Sequence, residues 1–248
     1  MAIQSRAAPV PLVLTRPSMQ GADFARALRA RFGEQVRIIE TPLMAPRFFV
    51  PSLPDGPFSA LILTSQTGVD GYLQLGPGMA ALPKQVFCVG ARTADAARDA
   101  QLTPLLVADD AANLIAQIRA AKPSGKLLHL RGREARGNIC SLLESAGLDT
   151  KEAVIYAQEA QALSAAAVAV LREDAPVLLP LFSPRSATLF RDEMLRVGGI
   201  SPLYVTAMSD EIAREAAIMA RQIKTAIRPD SAAMLDVLAD QLADLKRA

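Results

Sequence analysis

Residues 58–69 read Phe58-Ser59-Ala60-Leu61-Ile62-Leu63-Thr64-Ser65-Gln66-Thr67-Gly68-Val69. The apolar run has the length of a strand buried on both faces, as in a parallel sheet covered by helices. It stops at two hydroxyl residues, and a helix begins near Gln66. Thr64-Ser65 therefore sits at a strand-to-helix junction, where Ser and Thr cap free backbone N–H groups.

The same pattern recurs in both directions along the chain. Residues 1–11 read as a flexible lead, 12–14 as a strand ended by Pro17, 21–32 as a helix with Phe24, Leu28 and Phe32 on one face, and 36–40 as a strand. Pro42, Pro46, Pro51, Pro54 and Pro57 form a stiff connection. Beyond it, strands at 86–89, 105–107, 127–130, 154–156, 177–182 and 203–206 alternate with helices at 93–100, 110–121, 136–145, 165–172, 183–196 and 210–220. A closing helix spans 231–246. Such alternation is the signature of an α/β protein with parallel sheets and crossover helices.

The two halves echo each other. Leu14-Thr15-Arg16 returns as Leu130-Arg131-Gly132, and Val36-Arg37-Ile38-Ile39 as Val154-Ile155-Tyr156-Ala157. Thr64-Ser65-Gln66-Thr67 returns as Phe182-Ser183-Pro184-Arg185, and the stretch from Val86 to Ala94 as that from Leu203 to Glu211. The matches keep one order at nearly one offset, which points to a duplication and two domains of like fold. A cleft between such domains is the expected ligand site.

The bulk numbers agree with this. With 248 residues the chain is long enough for two small domains, and 51% apolar against 21% charged residues argues for a packed core. No tryptophan and 4% aromatics make that core aliphatic. A net charge of +2 gives no nucleic-acid footprint. Cys88 and Cys140 read as free thiols rather than a disulfide or metal pair. His129, the sole histidine, lies within an apolar strand, so a buried structural role outweighs catalysis and a zinc site is not expected. No apolar run reaches the roughly 20 residues of a membrane span, and the N-terminus lacks a full signal-peptide pattern. These features suit a reducing, cytoplasmic setting.

Candidate chemistry gathers at the junctions. Thr15, Arg16, Thr64, Ser65, Gly90, Arg92, Thr93, Arg131, Gly132, Ser183, Arg185, Ser186 and Ser209 all follow strands, where helix N-termini favour anions. Taken together they suit a ligand with several carboxylates or phosphates. Taken singly, each hydroxyl serves equally as a cap and each arginine as a solvated charge. Tyr156 ends a strand, where its phenol either donates a proton to a ligand or packs a domain joint. Dinucleotide, P-loop and nucleophile-elbow motifs are absent.

The pieces Val13-Leu14-Thr15-Arg16-Pro17, Leu61 to Val69, Val89-Gly90-Ala91-Arg92-Thr93-Ala94, Leu130-Arg131-Gly132-Arg133 and Phe182 to Ala187 occur in the order found in one family. In this the sequence resembles the uroporphyrinogen-III synthases. The resemblance implies two similar parallel-sheet, three-layer domains joined by a two-stranded ladder. One domain would be 1–35 with 162–248, the other 50–152, and 36–49 with 153–161 the linker. It implies closure of hydroxymethylbilane to uroporphyrinogen III without metal or organic cofactor, with loss of water and inversion of ring D through a spiro intermediate. Tyr156 matches the tyrosine that the family's mechanism uses to assist loss of the hydroxyl. The resemblance further implies a monomer that takes its substrate from the preceding pathway enzyme. Where the family has Gly-x-x-Thr, this chain has Ala207-Met208-Ser209-Asp210, and Phe182 replaces a threonine. Ser209 could supply the missing hydroxyl. The alternative is a two-domain protein that binds an anionic small molecule or tetrapyrrole without turning it over.

Overall fold

A computed structural model describes residues 8–16, 18–134 and 137–247. In chain order its elements are β1 (Val10–Leu14), α1 (Ser18–Phe32), β2 (Val36–Glu40), β3 (Met44–Phe48), β4 (Phe58–Leu63), α2 (Gln66–Leu73), β5 (Gln85–Val89) and α3 (Ala91–Asp99). They continue with β6 (Thr103–Ala108), α4 (Ala111–Ala121), β7 (Lys126–Gly132), α5 (Ile139–Glu144), β8 (Thr150–Ala160), α6 (Ala165–Leu171) and β9 (Val177–Leu181). The last are α7 (Pro184–Val197), β10 (Leu203–Ala207), α8 (Asp210–Ala216), β11 (Ala220–Thr225) and α9 (Ser231–Arg247). The chain divides into two compact units, Met1–Ala45 with Ala160–Ala248, and Pro46–Glu159.

The first unit holds a five-stranded sheet of order β11-β10-β9-β1-β2, parallel throughout. One face packs Val13, Leu179 and Val205 against α6, α7 and α8. The other packs Leu12, Leu14 and Leu178 against α1 and α9 through Phe24, Leu28, Met234 and Leu238. The second unit holds the order β3-β8-β7-β4-β5-β6, parallel from β8 to β6. Strand alternation drives its layers: Leu61 and Leu63 of β4 face α2 and α3, while Ala60 and Ile62 face α4 and α5. Each fully buried leucine or isoleucine contributes roughly 1.5–3 kcal/mol. Both units are therefore three-layer α/β sandwiches.

The two sheets share one strand order once the repeat is applied. β4, β5, β6, β7 and β8 correspond to β9, β10, β11, β1 and β2, and the order β6-β5-β4-β7-β8 becomes β11-β10-β9-β1-β2. The first unit is thus a permuted copy of the second, with its first three strands supplied by the C-terminal half of the chain. In both, strand order reverses at one seam, between β4 and β7 or between β9 and β1. That seam is where open parallel sheets present their ligand crevice.

Several expected elements differ. Val10 and Pro11, read as flexible lead, belong to β1; residues 1–7, Pro17 and the expected helix start at Arg136 lie outside the described residues. Val36–Glu40, expected to form a ladder with residues 153–160, instead pairs with β1 from Val10↔Val36 to Leu14↔Glu40. The physical reason is the crossover helix α1, which returns the chain parallel to β1 within the same sheet. It is β3 that lies beside β8. The helix expected to reach Ala220 ends at Ala216, and β11 follows.

Candidate functional site

Every junction singled out in the sequence falls at the carboxyl end of a strand, and most fall on three adjacent strands in each sheet. In the second unit these are β7, β4 and β5; in the first, β1, β9 and β10. Ser65, Ser183 and Ser209 are the N-cap residues of α2, α7 and α8, and each side chain accepts the N–H three residues on. Gly90 caps α3 at φ +81°, a left-handed conformation that glycine adopts without strain, and its N–H donates to the Ala108 carbonyl at 2.7 Å. Thr93 is buried in the first turn behind it, whereas Arg92 is exposed.

In the second unit three of the expected residues meet. Ser65 Oγ and the Tyr156 hydroxyl are 3.0 Å apart. Gly132, at the end of β7, pairs with Tyr156 across a register shift, and the Arg133 N–H donates to the Tyr156 carbonyl at 2.8 Å. A β-carbon on Gly132 would lie 2.5 Å from Tyr156 Cζ. The phenol therefore occupies the space that any larger residue would fill. The Phe48 ring tilts towards it with a 6.5 Å centroid separation. Thr64 is half-buried beside Ser65.

Arg131 does not join this group. It shares a strand face with Leu127 and His129, on the side of α4 and α5, and Nη1 donates to both Glu152 carboxylate oxygens at 3.1 and 3.0 Å. Its position in the sequence could not reveal this, because the partner comes from β8. His129 on the same face is buried, and burial together with the Arg131 charge lowers its pKa to about 4 against a smaller opposing effect of Glu152. Cys140, half-buried, donates to the Thr150 carbonyl at 3.0 Å, and burial raises its pKa; Cys88 is buried in the core and pushed up to about 11 by that burial.

In the first unit, Thr15 is buried at the end of β1 and Arg16 follows it. The Arg16 guanidinium lies 4.1 Å from the centroid of the Phe182 ring, and Phe24 meets that ring edge-on at 4.9 Å. Burial lowers the Arg16 pKa, and Asp23 works against that shift. The ring that replaces a threonine after β9 thus acts as a platform for an arginine, a role the sequence signalled only as a departure. Ser183 and Ser186 hydroxyls are 2.8 Å apart, and Arg185 is exposed. Among the described residues no group of three or more His, Cys, Asp or Glu is arranged to hold a metal ion.

The family model described as uroporphyrinogen-III synthase HemD matches residues 22–236. The chain belongs to the uroporphyrinogen-III synthase family. The family's reaction is the cyclisation of hydroxymethylbilane to uroporphyrinogen III, a lyase reaction. No curated protein sequence matches the chain. Among solved structures it is similar to the uroporphyrinogen-III synthetase of Helicobacter pylori, with 17% identity, a TM-score of 0.60, and coverage of 94% of this chain and 99% of that one. It is also similar to a mutant uroporphyrinogen III synthase of the extremely thermophilic bacterium Thermus thermophilus, with 13% identity, a TM-score of 0.45, and coverage of 96% and 100%. Membership of the family and the shared fold agree with the two mostly parallel sheets. Among the described residues no helix is long and apolar enough to cross a membrane.

Proposed function

We propose that Tyr156 is the proton donor with which this uroporphyrinogen-III synthase family member starts closure of hydroxymethylbilane. The supporting observation is the half-buried phenol at the carboxyl edge of the second sheet, held against Ser65 and over Gly132. The phenol proton passes to the hydroxymethyl oxygen of ring A, the C–O bond breaks and water leaves. The substituted carbon of ring D attacks the resulting azafulvene and gives a spiro-pyrrolenine. Fragmentation and re-closure invert ring D, and the proton released from its free α-carbon restores the phenol. Reactants and products then differ only by one water.

The substrate bears acetate and propionate groups on every ring. Arg16 on its Phe182 platform offers a planar cation of the kind that suits a carboxylate. Thr15, Thr64, Gly90, Arg92, Thr93, Ser183, Arg185, Ser186 and Ser209 supply hydroxyl, N–H or cationic donors along the two strand-end rims. Holding the chain folded so that ring D reaches the azafulvene supplies much of the acceleration. We further read the protein as a cytoplasmic monomer that receives its substrate from the preceding enzyme; the two unbonded thiols suit a reducing compartment.

The test is isomer analysis of products from freshly made hydroxymethylbilane. Predominance of isomer III with the wild-type protein supports turnover, and Tyr156→Phe is expected to lower kcat by about 100-fold, the usual scale of one general acid. Isomer I alone, at the uncatalysed rate, from folded wild-type protein would leave only ligand binding.

A further inference from the structure

We infer that Ser65 is a positioning residue that fixes the direction of the Tyr156 phenolic proton, with Gly132 as the clearance that admits the ring. This inference rests on the reading of Tyr156 as a proton donor. Ser65 is held by the helix it caps: its Oγ accepts from the Gly68 N–H at 3.0 Å, at the first turn of α2. The same oxygen lies 3.0 Å from the Tyr156 hydroxyl. A serine hydroxyl carries one proton and two lone pairs. One Ser65 lone pair is taken by the Gly68 N–H, the 3.0 Å contact to the phenol is open to either direction, and the donor role is assigned to Ser65. Ser65 then donates and Tyr156 accepts, so the phenolic proton turns away from Ser65 and stays available to a leaving hydroxyl.

Two further contacts leave the ring little freedom. The Tyr156 carbonyl is tied to the Arg133 N–H at 2.8 Å, and β8 meets β7 at the register shift that opposes Gly132 to Tyr156. A β-carbon at Gly132 would stand 2.9 Å from the phenol oxygen as well as 2.5 Å from Cζ, so the ring would have to leave Ser65 to make room. Gly132 adopts no left-handed backbone in doing this. Its requirement is space. The repeat counterpart of Gly132, Arg16, carries a long side chain, and the counterpart of Tyr156, Ile38, carries no phenol. The clearance and the phenol thus occur together in one sheet and are both missing from the other.

The test combines a spectroscopic readout with a turnover cycle. The tyrosine Raman doublet, taken as wild type minus Tyr156→Phe, reports whether this phenol accepts or donates its hydrogen bond. Ser65→Ala is expected to shift the doublet intensity ratio away from the acceptor end, and Ser65→Thr to restore it. A shift in the opposite direction, or none, overturns the inference, since loss of the cap alone would not alter the phenol's hydrogen bonding. In turnover, Ser65→Ala is expected to lower kcat about tenfold with KM little changed, the scale of one good hydrogen bond. The same change made on Tyr156→Phe is expected to have less than about a twofold effect, because the group it positions is gone. Equal effects of Ser65→Ala in both backgrounds would overturn it. A Tyr156→Phe enzyme as fast as wild type would remove the proton-donor reading itself. A slow Tyr156→Phe with an unmoved doublet in Ser65→Ala would remove only the role of Ser65.

Discussion

His129 is buried on β7, and among the described residues neither ring nitrogen has a hydrogen-bond partner. Burial and the neighbouring Arg131 charge hold it neutral, with a pKa lowered to about 4, while Glu152 opposes that shift. In the unfolded chain its pKa returns to about 6.5, so between these values the unfolded state binds the extra proton. Stability is therefore full above the unfolded value and falls as pH drops towards the folded one. Linkage gives a loss of about 2 kcal/mol between about pH 8 and pH 5. His129 is the only histidine, so urea unfolding of wild type and His129→Leu at those two pH values isolates the effect. The wild type is expected to lose more than the variant by about that amount, and equal losses would show that the imidazole is solvated in the folded protein. At this scale the sequence was partly legible. A lone histidine inside an apolar strand reads correctly as buried; Ser65 and Gly132 stand out from their places at strand ends, and Tyr156 from its place within a strand. What the sequence could not show was which of them touch, nor that Arg131 is engaged by Glu152, because those pairings cross between strands far apart in the chain.

At the scale of elements, α9 is locked to the first sheet by more than apolar contact. Gln241 is fully buried; its Oε1 accepts from the Thr206 hydroxyl at 2.6 Å and its Nε2 donates to the Val205 carbonyl at 3.1 Å. Gln241→Leu strands the buried Thr206 hydroxyl and is expected to destabilise by about 2 kcal/mol. Adding Thr206→Val removes the orphaned donor and should recover part of that loss. If denaturant midpoints show the double variant to be less stable than Gln241→Leu alone, the hydroxyl is not the source of the penalty. The helix itself was legible, since Met234, Leu238 and Leu242 recur every four residues and are all buried. The two strands that sequence reading missed, β3 and β11, are both sheet edges. An edge strand pairs on one side only. β3 therefore tolerates Pro46, and neither strand needs the continuous apolar run that betrays a central one such as β4. The misplaced end of α8 has the same origin, because the half-buried residues of β11 carry no strand period to interrupt the helix reading.

The whole molecule follows from the permutation. The alternating pattern and the offset repeat made the two-sheet architecture legible, yet the repeat gave no sign that β2 pairs within its own sheet. Equivalent strands occupy equivalent positions in separate sheets, so a match between 36–39 and 154–157 is not evidence that they touch each other. This arrangement also bears on folding. The second unit draws its central pair from nearby chain, with Ile62 beside His129. The first needs Leu12 beside Leu178, so its central pair waits on both ends of the chain. The longer loop adds less than about 1 kcal/mol of closure entropy. The larger effect is that Leu12, Leu14 and α1 lack most of their buried partners until β9 and α9 arrive, since one apolar cluster contains all of them. Local contacts form before distant ones repay their ordering entropy. In refolding followed by pulsed hydrogen exchange, amides of β4, β5 and β7 are expected to gain protection several-fold faster than those of β1 and β9. Simultaneous protection in the two sheets would mean that they fold as one cooperative unit, and that the permuted order of the first has no kinetic consequence.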